Sequence, residues 1–393
     1  PGRREHLGAL PHGMQAMPTF AALSRLALGA ALALSATAAF ARGPAPLPAD
    51  AAWRKLDTVA YKGKQDDIQF VDALHGWYVN GAGKIYGTDD GGASWRELLS
   101  QPGTYFRAVG FIDAMNGFAG NIGTDYFPGV TDTRPLYRTR DGGKTWAAVE
   151  GLTEETIKGI CAIDVLHSRF VNAGKLDERT IVHAGGRVGG PAKLLRSLDG
   201  GETWSAIDMT PYTAMILDVK FFDAMNGIVF GASDADVEQS HARILRTDDG
   251  GKTWAIAYES KRPFEITWKG SFPTRQVGYA TIQTYDPDPA NAQRYVAKTT
   301  DGGKTWRELP LDRDAAAREF GIGFRDARTG WVGAMNTGYQ TTDGGRTWRK
   351  VEMGRAVNKI RIVPDGDGFV GYAIGMDVYK LDVPAAGHAK RPH

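Results

Sequence analysis

Acidic, hydroxyl and tryptophan side chains recur together in this chain at a fixed spacing. The phrase TDDGGKTW at residues 247–254 follows the pattern [ST]-x-D-G-G-x-[ST]-W, and five other segments follow it too. An aspartate beside two hydroxyls could serve acid–base chemistry or hold a cation. Paired glycines are instead typical of a tight turn with positive φ, and a tryptophan after them is typical of a side chain that packs against that turn. The six copies, called boxes below, occupy residues 88–95, 139–146, 197–204, 247–254, 299–306 and 341–348.

A second, looser phrase precedes every box. It has an apolar residue, then usually Asp two places on and Gly six places on, as in Phe111, Asp113 and Gly117. A seventh, degraded copy near residue 362 has no box after it. The lone segment AAWRKLD at residues 51–57 resembles the strand that would follow that missing box. The chain therefore contains seven units, the last of which we expect the N-terminal segment to complete.

The repeats predict the fold class. Within a unit, four short segments read as strands A to D, and the box lies between strands C and D. Seven such units predict an all-β, seven-bladed β-propeller over residues 53–383, with the last blade closed by the N-terminal strand. Closing the ring in this way removes the exposed sheet edges of an open array.

The residue types of every box can be explained by a structural turn, with no role in substrate binding. We expect each box aspartate to accept hydrogen bonds from backbone N–H groups, the glycines to take positive φ, and each tryptophan to pack beneath the turn or against the next blade. The aspartates are Asp90, Asp141, Asp199, Asp249, Asp301 and Asp343, and the tryptophans are Trp95, Trp146, Trp204, Trp254, Trp306 and Trp348.

The pattern resembles the Asp-box, or BNR repeat, of the sialidase-like superfamily. Seven tandem units with F-x-D-x-x-x-G-[WF] before the box are most similar to the photosystem II assembly and stability factor-like propellers. That resemblance implies a structural box on the outer edge of each blade, away from any active site. It covers nearly the whole chain from Trp53 to Leu381 and is far more specific for architecture than for function.

The N-terminal residues read as a leader. Residues 17–41 hold a start-like Met17, an apolar run and a small-x-small site ending at Ala41, which is typical of a secretory signal peptide. We therefore expect cleavage after Ala41 and a periplasmic or secreted protein. The other flanking segments are assigned as upstream sequence (1–16), a linker (42–52) and a disordered tail (384–393).

The net charge and the cysteine count bear on which partners and which covalent links are expected. The chain has 47 basic and 45 acidic residues, and the part before Arg42 holds three arginines and one glutamate, so 44 of each remain after cleavage. A net charge near zero gives no electrostatic reason to expect nucleic acid as a partner. Cys161 is the single cysteine, so no intramolecular disulfide can form, and we expect a small buried thiol. We also expect a monomer.

The two faces of the ring should differ. The A-to-B and C-to-D turns share one face, here called the box face, and the B-to-C and D-to-A connections share the other, here called the loop face. From the glycine position to the box, blades 1 and 6 have 12 and 11 residues, whereas blades 2 to 5 have 22, 29, 20 and 21. These intervals predict long B-to-C loops on four adjacent blades, and we expect the ligand there.

Candidate contact residues come from those loops and from the first residues of the innermost strands. Charged and aromatic side chains at a channel mouth suit a polar ligand or a peptide. The candidates are Arg107, Tyr126, Lys158, Arg187, Asp218, His241, Tyr285, Arg294 and Lys359. Further charged entry positions are Asp66, Asp67, Lys269 and Glu319.

The leading hypothesis is an exported, non-enzymatic propeller that binds a protein or peptide partner in the cell envelope and serves as an assembly or stability factor. The alternative is a carbohydrate-active enzyme, a glycoside hydrolase or lyase acting on a polysaccharide with carboxylates of the loop face. A sialidase fits poorly, because the stretch before residue 88 lacks the arginine that such enzymes carry. The carboxylates considered are Asp218, Glu238, Glu265 and Glu319.

The sequence predicts no catalytic residue, cofactor or metal. The pairs Asp234/Asp236 and Asp286/Asp288 have the spacing of calcium ligands, but neither completes an EF-hand. No zinc-protease, paired-cysteine or phosphate-loop phrase is present. A redox protein with a cofactor in the channel is a third hypothesis, for which the sequence offers no identifiable ligand.

Overall fold

The computed structural model describes residues 46–48, 50–59, 61–172 and 175–383, with the side chains of residues 170–177 excepted. The predicted signal peptide, the first residues of the linker and the C-terminal tail lie outside the described residues.

The described residues form seven antiparallel sheets of four strands each, as the repeats predicted. The N-terminal strand β1 is Arg54–Lys55. Blade 1 holds β2 (Gln65–Phe70), β3 (Gly76–Asn80), β4 (Lys84–Thr88) and β5 (Arg96–Ser100); blade 2 holds β6 (Phe106–Phe111), β7 (Gly117–Asn121), β8 (Leu136–Thr139) and β9 (Ala147–Ala148); blade 3 holds β10 (Ala162–Asn172), β11 (Lys175–Gly186), β12 (Lys193–Ser197) and β13 (Ser205–Asp208).

The remaining blades follow the same order. Blade 4 holds β14 (Met215–Phe221), β15 (Gly227–Ala232), β16 (Ala242–Thr247) and β17 (Ala255–Glu259); blade 5 holds β18 (Glu265–Ser271), β19 (Gly278–Thr284), β20 (Arg294–Thr299) and β21 (Arg307–Asp312); blade 6 holds β22 (Glu319–Phe324), β23 (Gly330–Ala334), β24 (Gly338–Thr341) and β25 (Arg349–Val351); blade 7 holds β26 (Lys359–Asp365), β27 (Gly368–Ile374) and β28 (Val378–Val383). A short 3-10 helix, Pro289–Asn291, lies between β19 and β20.

The N-terminal strand completes blade 7. Strand β1 pairs antiparallel with β28, which confirms the predicted closure. Blade 7 also bonds to blade 1, because Arg361 donates to the carbonyl of Ile68 at 2.8 Å and Asn358 donates to the carbonyl of Asp66 at 2.6 Å. The seven sheets therefore form a closed ring, a seven-bladed β-propeller.

The second sequence phrase has a packing explanation. The apolar residue that ends strand A folds its ring over the glycine that begins strand B. A Cβ atom on Gly117 would lie 2.5 Å from the Phe111 ring, and one on Gly227 would lie 2.6 Å from the Phe221 ring. Only glycine leaves room for the ring, which then packs in the core between its own blade and the preceding one.

All six boxes form the same turn on the box face. In blade 2, the carboxylate of Asp141 accepts hydrogen bonds from the backbone N–H and the hydroxyl of Thr145, at 2.9 and 2.6 Å, and from the hydroxyl of Thr139 at 2.9 Å. These bonds lower the pKa of Asp141 to about 2, with the Thr145 hydroxyl making the largest contribution. Gly142 and Gly143 have φ of 76° and 94°. The carboxylate is thus used within the turn.

Each box is tied to the A-to-B turn of its own blade. The first box glycine donates its N–H to a carbonyl of that turn, for example Gly142 to Met115 and Gly250 to Met225, both at 2.8 Å. Boxes are also tied to the preceding blade, because Arg138 donates to the carbonyl of Gly201 at 2.9 Å. The box face is therefore held by main-chain hydrogen bonds within each blade and by side-chain-to-carbonyl hydrogen bonds between blades.

One sequence prediction about the loops was wrong. The long interval of blade 3 was assigned to a B-to-C loop starting at Ser168. Instead, residues 162–172 and 175–186 pair as one long A-to-B hairpin, with Ser168 opposite Arg179. The extra residues therefore extend from the box face, and the B-to-C connection of blade 3 is only residues 187–192. Val165, Leu166 and His167 stand where the other units have turn residues, and Ser168 replaces the usual glycine, so strand A continues through the expected turn.

Candidate functional site

The loop face is uneven around the ring. The B-to-C connections are three residues long in blades 1, 6 and 7, but 14, 6, 9 and 9 residues long in blades 2 to 5. Length is therefore concentrated on adjacent blades, although less evenly than the sequence intervals predicted.

A pocket of about 400 Å³, here called the mouth pocket, opens at the centre of the loop face. Six of the seven blades contribute residues from the loop-face ends of their strands or from the connections there. The lining residues are Lys62, Gly63, Lys64, Arg107, Tyr126, Phe127, Val188, Trp268, Tyr285, Arg318, Phe320, Met335, Ala356 and Met376. The lining thus combines five aromatic rings and two methionines with four cationic side chains, and it includes no carboxylate.

Trp268 is the central ring of the mouth pocket. It is buried, and its indole N–H donates to the side-chain oxygen of Asn358 at 2.8 Å, which fixes the ring plane. The cationic groups of Lys64, Arg107 and Lys269 lie 5.7, 5.1 and 5.8 Å from the ring centroid. Phe320 packs edge-on against the ring at 6.0 Å. Cations at these distances are attracted by the face of the indole ring.

Ion pairs with Asp66 hold two of the cations that line the pocket. Asp66 accepts from both Lys64, at 2.8 Å, and Arg107, at 2.5 Å, with the same carboxylate oxygen. Burial lowers the pKa of Lys64 to about 8 and that of Lys269 to about 8. Two cations on one acceptor oxygen leave positive charge at the floor of the pocket.

The channel beneath the pocket holds a second buried pair. Lys359 lies 3.1 Å from Asp218, which also accepts from the backbone N–H of Gly270 at 3.0 Å. Burial acts to raise the pKa of Asp218, but Lys359 and Lys269 outweigh it, so the pKa is lowered. Both candidates therefore lie in the channel as a structural ion pair, below the mouth pocket.

The structure brings three of the sequence candidates together. Arg107, Tyr126 and Tyr285 all line the mouth pocket. Arg187 lies behind it, 5.8 Å from the Tyr126 ring centroid, and donates to the carbonyl of Thr124 at 2.7 Å. Lys158 is at the outer rim, where it pairs with Asp125 at 2.6 Å. Arg187 and Lys158 thus position the long loop of blade 2 that carries Tyr126.

Two other candidates bond to neighbouring loops. The imidazole of His241, in the B-to-C connection of blade 4, contacts the carbonyl of Ser260, which follows β17, at 2.9 Å. Arg294 is buried and donates to three carbonyls on neighbouring loops. Neither residue lines the mouth pocket.

Several pocket residues were missed from the sequence. Trp268 carried a signal, because six of the ten tryptophans belong to boxes and Trp268 instead lies in a strand A. Phe320 also lies in a strand A, next to the entry residue Glu319. Met335 and Met376 sit in three-residue connections, where loop length gave no reason to search.

The carboxylates proposed for an enzyme do not gather at the pocket. Glu265 pairs with Arg262 at 2.6 Å, and Glu238 is exposed on the blade 4 loop. Asp236 and Asp288 accept bonds from the backbone of their own turns. In the part of the chain that the structure describes, no group of three or more His, Cys, Asp or Glu side chains has the arrangement of a metal site. Nor do the described residues include a helix long and apolar enough to cross a bilayer.

Comparison with known proteins finds solved structures of similar fold but no matching sequence family. No protein-family model and no curated protein sequence matches the chain. Among solved structures, YCF48 bound to D1 peptide is similar with a TM-score of 0.58 and 18% identity, covering 87% of this chain and 99% of that one. YCF48 from Cyanidioschyzon merolae is similar with a TM-score of 0.58 and 19% identity, covering 84% and 99%.

An enzyme shares the fold as well. An ancestral GH74 enzyme is similar with a TM-score of 0.58 and 15% identity, covering 84% of this chain and 46% of that one. At identities this low, the likeness is one of architecture, and a propeller carries binding and catalytic functions alike. The chain is therefore a β-propeller similar in fold to YCF48 and to GH74 propellers.

Proposed function

We propose that the protein binds an extended segment of another protein in the mouth pocket, and that it acts as a non-enzymatic assembly or stability factor in the cell envelope. The observation that carries this proposal is the composition of the pocket. Its rings and methionines offer adaptable apolar surface for side chains, and its four cations offer hydrogen-bond donors for carbonyl or acidic groups. The solved structure of YCF48 bound to D1 peptide supports a peptide as the class of ligand.

The loops around the pocket are already braced, which favours binding. Arg187 donates to Thr124 and Gly190 carbonyls at 2.7 and 2.8 Å, and Arg294 ties the blade 5 loop to the segment before β22. Loops held by buried arginines lose little conformational freedom when a ligand arrives. The pocket is thus suited to binding without large rearrangement.

A polysaccharide is the alternative ligand, because aromatic rings also suit sugars. Glycoside hydrolysis needs two carboxyl groups about 5 to 10 Å apart across the bond that breaks. The lining of the mouth pocket provides none, and Asp218 and Glu265 are held in ion pairs. We therefore favour peptide binding over hydrolysis.

Site-specific photocrosslinking tests the proposal. A photoreactive phenylalanine derivative replaces Tyr285 in the pocket, or Met225 on the box face as a matched control, and each variant is incubated with the solubilised envelope fraction. We expect a discrete crosslinked protein from position 285 and none from position 225. Crosslinking of the same protein from both positions, or from 225 alone, would place the partner elsewhere. Release of reducing sugars from envelope polysaccharide would favour the enzyme instead.

Export is part of the same proposal and has its own test. A signal peptide at residues 17–41 predicts that the protein purified from the envelope begins at Arg42. Intact-mass measurement of that protein checks the cleavage site. A chain that retains residues 17–41 would contradict cleavage and leave peptide binding to be judged by the crosslinks.

A further inference from the structure

The carboxyl group of Glu319 is buried behind the wall of the mouth pocket, without a hydrogen-bond partner among the described residues. Glu319 begins β22, between Arg318 and Phe320, which both line the pocket. Its side chain is fully buried, and neither carboxyl oxygen has a hydrogen-bond partner among the described residues. Burial raises the pKa of Glu319 well above its ordinary range, because an unpaired buried carboxylate is far costlier than the neutral acid.

Besides burial, the groups that act on Glu319 are two backbone N–H groups, its own and that of Tyr295, which favour the carboxylate, and charged groups of the neighbouring strands. Arg294 of β20 attracts the negative form, whereas Glu265 of β18 repels it. Tyr339 of β24 is also within electrostatic reach, and its hydroxyl donates to Asp312 at 2.7 Å. Glu265 is already paired with Arg262. Arg294 is therefore the cation that a deprotonated Glu319 would attract.

Arg294 meanwhile holds two loops together through three hydrogen bonds. Its guanidinium donates to the carbonyls of Ala317 at 3.1 Å, Asn291 at 3.0 Å and Ala315 at 2.8 Å. These bonds join the blade 5 loop to residues 313–318, the segment that leads into β22.

The braced loops carry one wall of the pocket. Arg318 ends the segment 313–318, and its guanidinium lies 4.5 Å from the ring centroid of Tyr285 on the blade 5 loop. The side-chain amide of Gln283 links the two sides, because it donates to the Glu319 carbonyl at 2.6 Å while its oxygen accepts from the Tyr285 hydroxyl at 2.5 Å. Any change in the brace is therefore transmitted to the pocket.

We propose that Glu319 is a proton-dependent latch on this wall. With the proton bound, Arg294 braces the two loops and the wall is closed. When the proton passes to solvent at higher pH, the buried carboxylate draws the guanidinium away from the carbonyls, and residues 313–318 are released together with Arg318. The consequence for a ligand rests on the proposed function, whereas the latch itself operates without one.

Hydrogen exchange of the unliganded protein tests the latch. Backbone amides of residues 313–320 are followed from pH 6 to pH 9, with rates corrected for intrinsic exchange and compared with amides of β19. If opening requires loss of one proton, protection of this segment falls by up to about tenfold per pH unit. In Glu319→Gln, which stays neutral, we expect no such dependence. Asp314→Asn removes an exposed acid of the same segment and should keep the wild-type slope.

In the exchange experiment, two outcomes overturn the proposal. One is a wild-type segment whose protection is independent of pH, and the other is a Glu319→Gln variant that keeps the wild-type dependence of protection on pH. If Glu319→Gln does not fold, infrared spectroscopy of the wild type decides. A buried protonated carboxyl absorbs apart from carboxylates, and we expect that band at pH 7 and its loss in parallel with the loss of protection. Absence of the band at pH 7 also overturns the latch. No ligand is used, so failure here leaves the crosslinking test of the proposed function unaffected.

Discussion

The box face and the loop face of this propeller are built on opposite principles. On the box face, six turns of one sequence use their polar groups internally, through bonds such as those around Asp141. On the loop face, connections range from three to 14 residues, and they surround a pocket to which six blades contribute different side chains. Repetition marks what holds the ring together, and departure from repetition marks where a ligand is expected.

Pairs of side chains link each of several blades to the box of the next blade. In such a blade an aromatic residue of strand B lies opposite a cation of strand C. The cation donates to a carbonyl in the box of the next blade, as Lys298 does to Gly344 at 2.8 Å. The pairs are Phe118 with Arg138, His183 with Arg196, Tyr279 with Lys298 and Tyr372 with Lys380. Blade 3 differs from the others in having a histidine, fully buried, at the aromatic position.

The largest effect is expected from the box of blade 3. Gly201 has φ of 87°, and a Cβ atom there would lie 2.3 Å from the Phe118 ring of the preceding blade. Gly201→Ala should lower the free energy of unfolding by roughly 3 kcal/mol, from backbone strain together with overpacking. Chemical denaturation measures this loss.

A control separates the two causes. Gly151 also has a positive φ, of 76°, but a Cβ atom there meets open space. Gly151→Ala should therefore cost only about 1 kcal/mol. Equal losses in the two variants would mean that the close approach between blades is unimportant for the box face.

The histidine of blade 3 should make the ring sensitive to acid. His183 stacks on Phe221 at 3.6 Å, and neither ring nitrogen has a partner among the described residues. Burial, with the nearby charges of Arg196 and Lys220, lowers the pKa of His183 well below its ordinary value. The unfolded chain then binds a proton that the native state does not bind. The contribution of His183 to the free energy of unfolding is therefore fully present above about pH 6.5 and falls as the pH decreases below that value.

Replacement of the histidine checks this dependence. His183→Phe reproduces the pairing of Phe118 with Arg138 in blade 2. At pH 5 the variant should retain roughly 2 kcal/mol more of its neutral-pH stability than the wild type does. Denaturation curves at pH 5 and pH 7.5 give the difference. Parallel losses in both proteins would assign the acid sensitivity to other groups.

A loop-face substitution should give the reverse result, with binding lost and stability kept. Arg318 lines the mouth pocket, where its guanidinium lies over the ring of Tyr285. Arg318→Ala should weaken binding of the crosslinked partner about tenfold, or about 1.4 kcal/mol. The unfolding midpoint should change little. An unchanged affinity would show that this wall of the pocket does not touch the ligand.

The smallest effect is expected at an exposed apolar residue of the box face. Met225 is 48% exposed at the tip of an A-to-B turn, and the turn uses its carbonyl, not its side chain. Met225→Ser should change both stability and partner binding by less than about 0.5 kcal/mol. Loss of binding in this variant would move the ligand to the box face and break the comparison.

The repeats determined much of this protein by themselves. Six boxes and seven preceding phrases predicted the blade count, the strand order and the closing N-terminal strand, because each phrase specifies a local turn or a ring over a glycine that needs no distant information. Loop positions were predicted less well, because a strand can continue where a unit lacks the usual turn residues and glycine, as it does at Ser168 in blade 3.

The site itself was decided by tertiary structure. The sequence proposed Arg107, Tyr126 and Tyr285, but residues with equal polar and aromatic character, such as Arg294 and His241, turned inward to brace loops. Which side chains meet at the mouth depends on how seven blades converge, and that convergence brings Trp268 and Phe320 from different strands into contact. Likewise, only packing shows that Glu319 lies buried without a hydrogen-bond partner among the described residues, because burial and hydrogen bonding depend on the assembled ring and cannot be read from a single repeat.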